Sequence, residues 1–404
     1  ANRSPPAPPP LPPSGLWARA MAVPRLLAAA GLALAAGRGA SAGAVGTDPG
    51  RGRRGLSRFS LPELQAASPA ARARLRRVLR GEGAVLLTDI PGYRDSAAEA
   101  LDALGDCFDR LEASSASSVG RAAASAGSAR PVASPALLRG GLERWTLATS
   151  TRAGSPDPLP DWAAGACPAL LGPAERLRSF VSLVLIHFAH SADAAAALEL
   201  EAEPEALGAR RGAGFLQALE PTEEGAQGAA LEDLLRRGTL LEHFHRYRRS
   251  AGPEAASRRP LGMHTDAGLL QALSVRWRAL PGTAAGTAVV GLEVELPGGL
   301  VVAAEEEVAS GVRPEDGGEK AGGLLLLLGQ ASQEWLPHLR LRAAPHALAA
   351  APPGSGEGSD AGRHVERLVY GVMVLPPEDW PIVAPGAGNA TFGEWWRRAQ
   401  RAVG

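Results

Sequence analysis

The sequence predicts an α+β protein, helical in its first half and all-β in its second. Two observations carry that reading. Capped, amphipathic segments occupy residues 60–200, and after Leu240 the chain changes to short apolar runs separated by Gly- and Pro-rich breaks. Several short strands at turn spacing point to a sandwich or barrel.

The elements follow in order. Ser60, Leu61, Pro62 and Glu63 form a capping box, in which the serine oxygen accepts from a first-turn amide and the glutamate reaches back. Ser68 and Pro69 open a second helix, PAARARLRRVL, with Leu75, Val78 and Leu79 as its apolar face and Gly81 where it should stop. Residues 84–88 (AVLLT) read as a buried strand, ended by the turn residues Pro91 and Gly92. A helix follows over 96–111, and then a Ser/Ala/Gly-rich stretch, 113–140, that reads as a mobile loop. Residues 174–200 form the most apolar helix, and the Glu/Gly/Ala-rich 201–230 reads as an insertion. Strands are expected over 241–247, 261–266, 269–275, 291–296, 324–328 and 367–375. A last helix spans 391–403, with Thr391 and Glu394 as its capping box.

The chain has 404 residues, long enough for a buried core, with 42 basic and 42 acidic side chains. That zero net charge argues against a general nucleic-acid binder, which carries a basic surplus. All the basic residues but Lys320 are arginine, and the richness in Arg, Ala, Gly and Pro follows their G/C-rich codons, a drift in composition rather than a chemical signal. The two cysteines, Cys107 and Cys167, exclude a disulfide framework and a four-cysteine zinc site. Their spacing leaves open whether they pair in an oxidising compartment.

Residues 1–50 read as a targeting segment and linker. From Met21 the chain runs MAVPRLLAAAGLALAAGRGASAG, in which Arg25 precedes an apolar run too short to span a bilayer. Ala40, Ser41 and Ala42 fit a small-x-small cleavage site. The favoured location is the secretory pathway or the exterior. An organellar (for instance plastid) transit peptide is the alternative, kept open by the Arg-rich 37–58. No later segment has 18 uninterrupted apolar residues, so the mature chain is expected to be free of membrane, and a monomer is the expected state. The remainder divides into an N-terminal helical region, 51–235, and a β domain, 236–404.

The sharpest local feature is Gly262-Met263-His264-Thr265-Asp266-Ala267-Gly268. Residues two apart on a strand share a face, so His264 and Asp266 project together and can hold adjacent positions on one metal. The best third ligand is His346, within APHAL, and His364 is the alternative if the 351–363 insertion displaces it. Two histidines and one carboxylate on one face of an octahedron leave open positions, the pattern of non-haem Fe(II) oxygenases. His243 and His245 also sit two apart but have no third partner nearby, so they read as pocket or packing residues. His187 and His190 read as core or boundary histidines, and His338 as solvated.

HTDAGLL, then GLEVELPGG, LLLLLGQ, PHAL and RLVYGVMVLPP resemble, in that order, the 2-oxoglutarate- and iron-dependent dioxygenases of the isopenicillin N synthase-like type. GEGAVLLTDIPG resembles that family's N-terminal strand segment, and TFGEW its C-terminal helix start, so the likeness covers most of 58–400. The resemblance implies a double-stranded β-helix (jelly-roll) core with flanking N-terminal helices, and an oxidoreductase acting on a small organic substrate with Fe(II), 2-oxoglutarate and O2. It implies His264, Asp266 and His346 as iron ligands, Arg367 as the residue binding the distal carboxylate of 2-oxoglutarate, and Tyr247 and His245 as its neighbours. A guanidinium suits that role because it is always charged and offers paired donors.

The chain departs from the family pattern at three places. The family serine is Val369, the family asparagine is His245, and Gly-Asp is Gly329-Gln330. Segments 276–288, 303–322 and 351–363 are longer than usual. These departures keep two other readings open: a catalytically degenerate jelly-roll binding protein, and a family oxidase that does not use 2-oxoglutarate.

Overall fold

Two sheets and a helical layer build the protein. The computed structural model describes residues 55–118, 136–138, 141–152, 165–202, 238–249, 259–279, 290–305, 323–335, 340–350, 365–380 and 390–403. Residues 1–50, read as a targeting segment and linker, most of the low-complexity stretches, His338 and His364 lie outside the described residues.

The first helices form where their caps place them. β1 (Arg58–Ser60) leads into α1 (Leu61–Ala66), where the Ser60 hydroxyl accepts from the Glu63 amide at 3.1 Å. α2 (Pro69–Gly81) starts in the same way, with Ser68 accepting from the Ala71 amide and Pro69 supplying a pre-set φ. Ala71, Leu75, Val78 and Leu79, spaced three and four apart, are its buried stripe. β2 (Ala84–Thr88) follows, then α3 (Tyr93–Ser118), longer than the expected 96–111. The later α4 (Pro168–Ala202) packs against α3, and a Cys107–Cys167 disulfide staples α3 to the start of α4.

The region read as helical also supplies strands. β3 (Ala136–Leu138) and the long β4 (Leu142–Arg152) pair with each other, and β4 pairs antiparallel with β5 (Thr239–Arg249) over its whole length. The remaining strands are β6 (Leu261–His264), β7 (Leu270–Ala279), β8 (Val290–Leu296), β9 (Leu300–Ala303), β10 (Leu324–Leu328), β11 (His346–Ala350) and β12 (Val365–Leu375). α5 (Gln330–Trp335) follows β10, and α6 (Phe392–Val403) ends the described chain, with Thr391 and Glu394 exchanging the two bonds of a capping box. The large sheet runs β1-β2-β10-β7-β12-β5-β4-β3 and the small one β6-β11-β8-β9.

Each face of the large sheet has its own core. On β12, Leu368, Tyr370, Val372 and Val374 face the helices, while Val369 faces the small sheet. On β10 the alternation runs through leucine alone, with Leu324, Leu326 and Leu328 on one side and Leu325 and Leu327 on the other. The all-leucine run therefore has a simple cause: both faces of that central strand are covered.

The helix-facing side also carries a charged seam. Asp102, Asp106, Asp109 and Glu112 recur at helical spacing on α3 and meet Arg246, Arg248, Arg276 and Arg278 of β5 and β7. Arg246 is fully buried, with Asp109 and Glu112 on its guanidinium and the Trp145 ring 4.8 Å away. Further along, Arg178 of α4 grips buried Glu242 with two bonds of 2.7 Å, and the Tyr370 hydroxyl donates to the same carboxylate. These pairs fix where the helical layer sits on the sheet, which an apolar contact alone would leave free to slide.

Candidate metal centre

His264 and His346 are directly opposite residues on antiparallel β6 and β11, so their rings meet with centroids 4.4 Å apart. The strand expected to reach residue 266 ends at His264, and Asp266 lies in the turn that follows. That turn brings the carboxylate back to both rings: Oδ1 is 3.8 Å from His264 Nε2 and Oδ2 is 3.5 Å from His346 Nε2. One ligand atom from each of the three residues lies within 4.8 Å of the others, the one such three-residue group among the described residues.

The orientation of both imidazoles is set by the chain itself. His264 Nδ1 bonds the Gly262 carbonyl at 2.8 Å, and His346 Nδ1 bonds the Ala344 carbonyl at 3.0 Å. A carbonyl only accepts, so each Nδ1 carries the proton and each Nε2 presents its lone pair to the centre. Burial holds the His346 pKa below its ordinary value, against the pull of the Asp266 carboxylate, and so favours the neutral ring a metal needs.

Backbone contacts hold the Asp266 turn. The Gln330 amide donates to the Asp266 carbonyl at 2.6 Å, and the Gly329 amide to the Leu269 carbonyl at 2.9 Å. A Cβ on Gly329 would stand 2.0 Å from the Gly268 carbonyl oxygen. Glycine is required there by close approach, and Gln330 takes part through its amide, whatever its side chain.

The opposite wall is the inner face of the large sheet. His243, His245 and Tyr247 line up along β5, with ring centroids 5.4 Å and 5.7 Å apart. Burial drives the His243 pKa down to about 4, with Asp266 opposing and Arg144 adding to the shift, so this ring is neutral near pH 7. His245 is pushed well down by burial, then by His243, Arg144 and Arg367, and its Nδ1 pairs with the Thr146 hydroxyl at 2.9 Å. Tyr247 stands opposite Arg367, and His245 opposite Val369, on neighbouring strands. The expected co-substrate residues are thus assembled on one patch.

Arg367 itself has a partner the sequence did not indicate. It is 3% exposed, its Nε donates to Glu305 Oε1 at 2.7 Å, its Nη2 donates to the same oxygen, and the Tyr247 ring lies 4.9 Å away. Glu305 lies just past β9 and is 4% exposed. It belongs to the Glu305-Glu306-Glu307 run inside 303–322, which reads as an insertion, so nothing local sets it apart. Arg144 is a second addition. It stands opposite Tyr247 on β4, half-buried, with its Nε lacking a hydrogen-bond partner. No motif marks it, because no periodic apolar run announces its strand.

The donor set suits a divalent transition metal. Two imidazole nitrogens and one carboxylate are the ligands of facial non-haem iron sites, and they leave positions open. No family model matches the chain, and no curated protein is similar to it in sequence. Solved structures are similar to it. A full-length protein of Neurospora crassa, solved in complex with alpha-KG, is 12% identical, with 85% of this chain and 95% of that one covered and a TM-score of 0.51. The dioxygenase for auxin oxidation of rice is 16% identical, with 86% and 96% covered and a TM-score of 0.49. A 2OG-Fe(II) oxygenase family protein of Caulobacter crescentus is 14% identical, with 86% and 99% covered and a TM-score of 0.47. The fold, a jelly roll of two facing sheets with helices packed on the outer face of the large one, is therefore shared with the Neurospora protein.

Proposed function

We propose that the protein is a non-haem Fe(II) oxygenase that couples decarboxylation of 2-oxoglutarate to hydroxylation or desaturation of a small organic substrate. The observation that carries the reading is the His264, Asp266 and His346 cluster inside the roll, with both Nε2 atoms turned to one point. Bound iron would supply the activation of O2. The chain's own residues hold, orient and enclose. His264, Asp266 and His346 would hold the metal and, being only three donors, would leave positions for other ligands. The two Nδ1 bonds prevent ring rotation, Arg367 presents a buried cation to a carboxylate, and the apolar inter-sheet core keeps bulk water away. The alpha-KG of the Neurospora structure supports the choice of co-substrate.

The test is to add Fe(II) and 2-oxoglutarate without oxygen and look for a weak visible charge-transfer band, then admit air and measure succinate. Arg367→Ala is expected to weaken 2-oxoglutarate binding about ten- to a hundredfold, from a charge-assisted contact of about 1.5–3 kcal/mol. Lysine should recover only part of this, since it keeps the charge without the fork. Fe(II) binding should be unaffected in both variants. Val369→Ser, which restores the family hydroxyl, should tighten binding modestly. If the parent binds no 2-oxoglutarate and Val369→Ser gains none, the co-substrate assignment is wrong. The second reading, a binding protein or an oxidase without 2-oxoglutarate, is favoured by one feature: Glu305 already holds Arg367.

The same proposal places the mature protein, as a monomer, in the secretory pathway or outside the cell. The Cys107–Cys167 disulfide supports an oxidising compartment. Among the described residues no helix is long and apolar enough to cross a membrane. N-terminal sequencing of protein from its native source is expected to begin near Gly43, and retention of Met21 would refute the secretory assignment.

A further inference from the structure

We propose that Glu305 is a built-in competitor for the co-substrate's distal carboxylate: it occupies Arg367 in the free protein, and a dicarboxylic 2-oxo acid binds by taking its place. The proposal rests on the co-substrate reading above and adds to it a residue that discriminates among 2-oxo acids by charge.

The geometry of the pair is what points to exchange. A glutamate serving only to neutralise Arg367 would be expected to meet the guanidinium fork with both oxygens. Here Nε and Nη2 both donate to Oε1, while Oε2 is buried without a hydrogen-bond partner. Half of the acceptor capacity is unused in a place where an unpaired polar atom is costly. A Cβ added at Gly291 would come within 3.9 Å of Oε2, so this side of the carboxylate faces the inner surface of β8.

The backbone supports the same reading. Arg367 lies within β12, flanked by strands on both sides, whereas Glu305 lies two residues beyond β9, which among the described residues is the outermost strand of the small sheet. The cation is fixed in mid-strand, and the carboxylate comes from the helical turn, Ala304 and Glu305, that follows β9. Its side chain crosses the gap between the sheets to reach Arg367, on the wall where Tyr247, His245 and Val369 also face inward.

Charge makes the two occupants exclusive. The pair is 3% and 4% exposed, so solvent screens it little. A second carboxylate on the same guanidinium would put two like charges beside one cation in a poorly screened space, unlike the pair on Arg246, whose carboxylates are 46% and 42% exposed. A 2-oxo acid with a distal carboxylate must therefore displace Glu305, whereas one lacking that group has no claim on Arg367.

The experiment is calorimetric titration of the anaerobic Fe(II)-loaded protein with 2-oxoglutarate and, separately, with 2-oxobutyrate, which has no distal carboxylate. Glu305→Gln is expected to bind 2-oxoglutarate about tenfold more tightly than the parent, with 2-oxobutyrate unchanged. Glu305→Asp, which keeps the charge but shortens the reach, should show a smaller gain and guards against misfolding of the first variant. As an independent readout, 2-oxoglutarate should raise the unfolding temperature more in Glu305→Gln than in the parent. If the parent binds 2-oxoglutarate and neither variant binds it more tightly, Glu305 is structural only; this proposal fails and the co-substrate reading stands. An equal gain for both acids would mean added room rather than relieved charge, and also overturns it. If no form binds 2-oxoglutarate while Fe(II) still binds, the co-substrate reading falls and takes this proposal with it.

Discussion

Asp266→Ala is expected to abolish stoichiometric Fe(II) binding while the fold survives. The carboxylate is the only anionic donor of the cluster, reaching toward both His264 and His346 at 3.8 and 3.5 Å. Without it, two neutral imidazoles face a divalent cation, and the charge match that favours iron over its hydration shell is lost. The turn itself should persist, because it is held by the Asp266 carbonyl accepting from the Gln330 amide, which alanine retains. His264→Ala should have the same effect on the metal, by leaving two ligands. Anaerobic equilibrium dialysis measures bound Fe(II) per chain, and a thermal melt reports the fold. Parent-like iron binding in both variants would show that the ligands lie elsewhere.

Removing the disulfide is the second large effect. Cys107 and Cys167 are 60 residues apart in sequence, and their bond closes that loop in the unfolded chain. Chain entropy alone sets its contribution at about 4 kcal/mol, a sizeable part of the roughly 5–15 kcal/mol that holds a typical protein folded. Both cysteines are fully buried in the α3–α4 contact, so alanine is the substitution that leaves no buried hydroxyl. A Cys107→Ala, Cys167→Ala double variant should unfold at a clearly lower guanidinium concentration, and the parent should fall to nearly the same midpoint once reduced. Because the staple joins helices on the outer face of the large sheet, Fe(II) binding should be retained in the native range. Two free thiols in freshly purified parent, or coincident unfolding curves for parent and variant, would refute this prediction.

What can be read without the fold is local. The Ser60, Ser68 and Thr391 caps are written in a few adjacent residues, and each forms the bonds that its spacing implies. The leucine run of β10 and the apolar stripe of α2 are likewise periodic signals that survive in one dimension. Two of the three clustered residues sit within one short motif, and the third follows from the order in which the resembling motifs occur. Segments without such signals escape: β4 lies between low-complexity stretches, with Arg144, Thr146 and Ala148 on the face away from the helices, and no periodic apolar run announces it.

Sequence alone therefore determined the α+β class and the pairing of His264 with Asp266, since capping, alternation and motif spacing are short-range properties, while His346 came from the order of the resembling motifs and is placed beside them by the register of β6 and β11. Only the tertiary structure decided that Cys107 meets Cys167, that the α3 carboxylates clasp arginines of β5 and β7, and that Glu305 holds Arg367. Each joins residues 60 or more positions apart. Such a partner is chosen by sheet register and helix docking, which belong to the whole chain and to none of its segments.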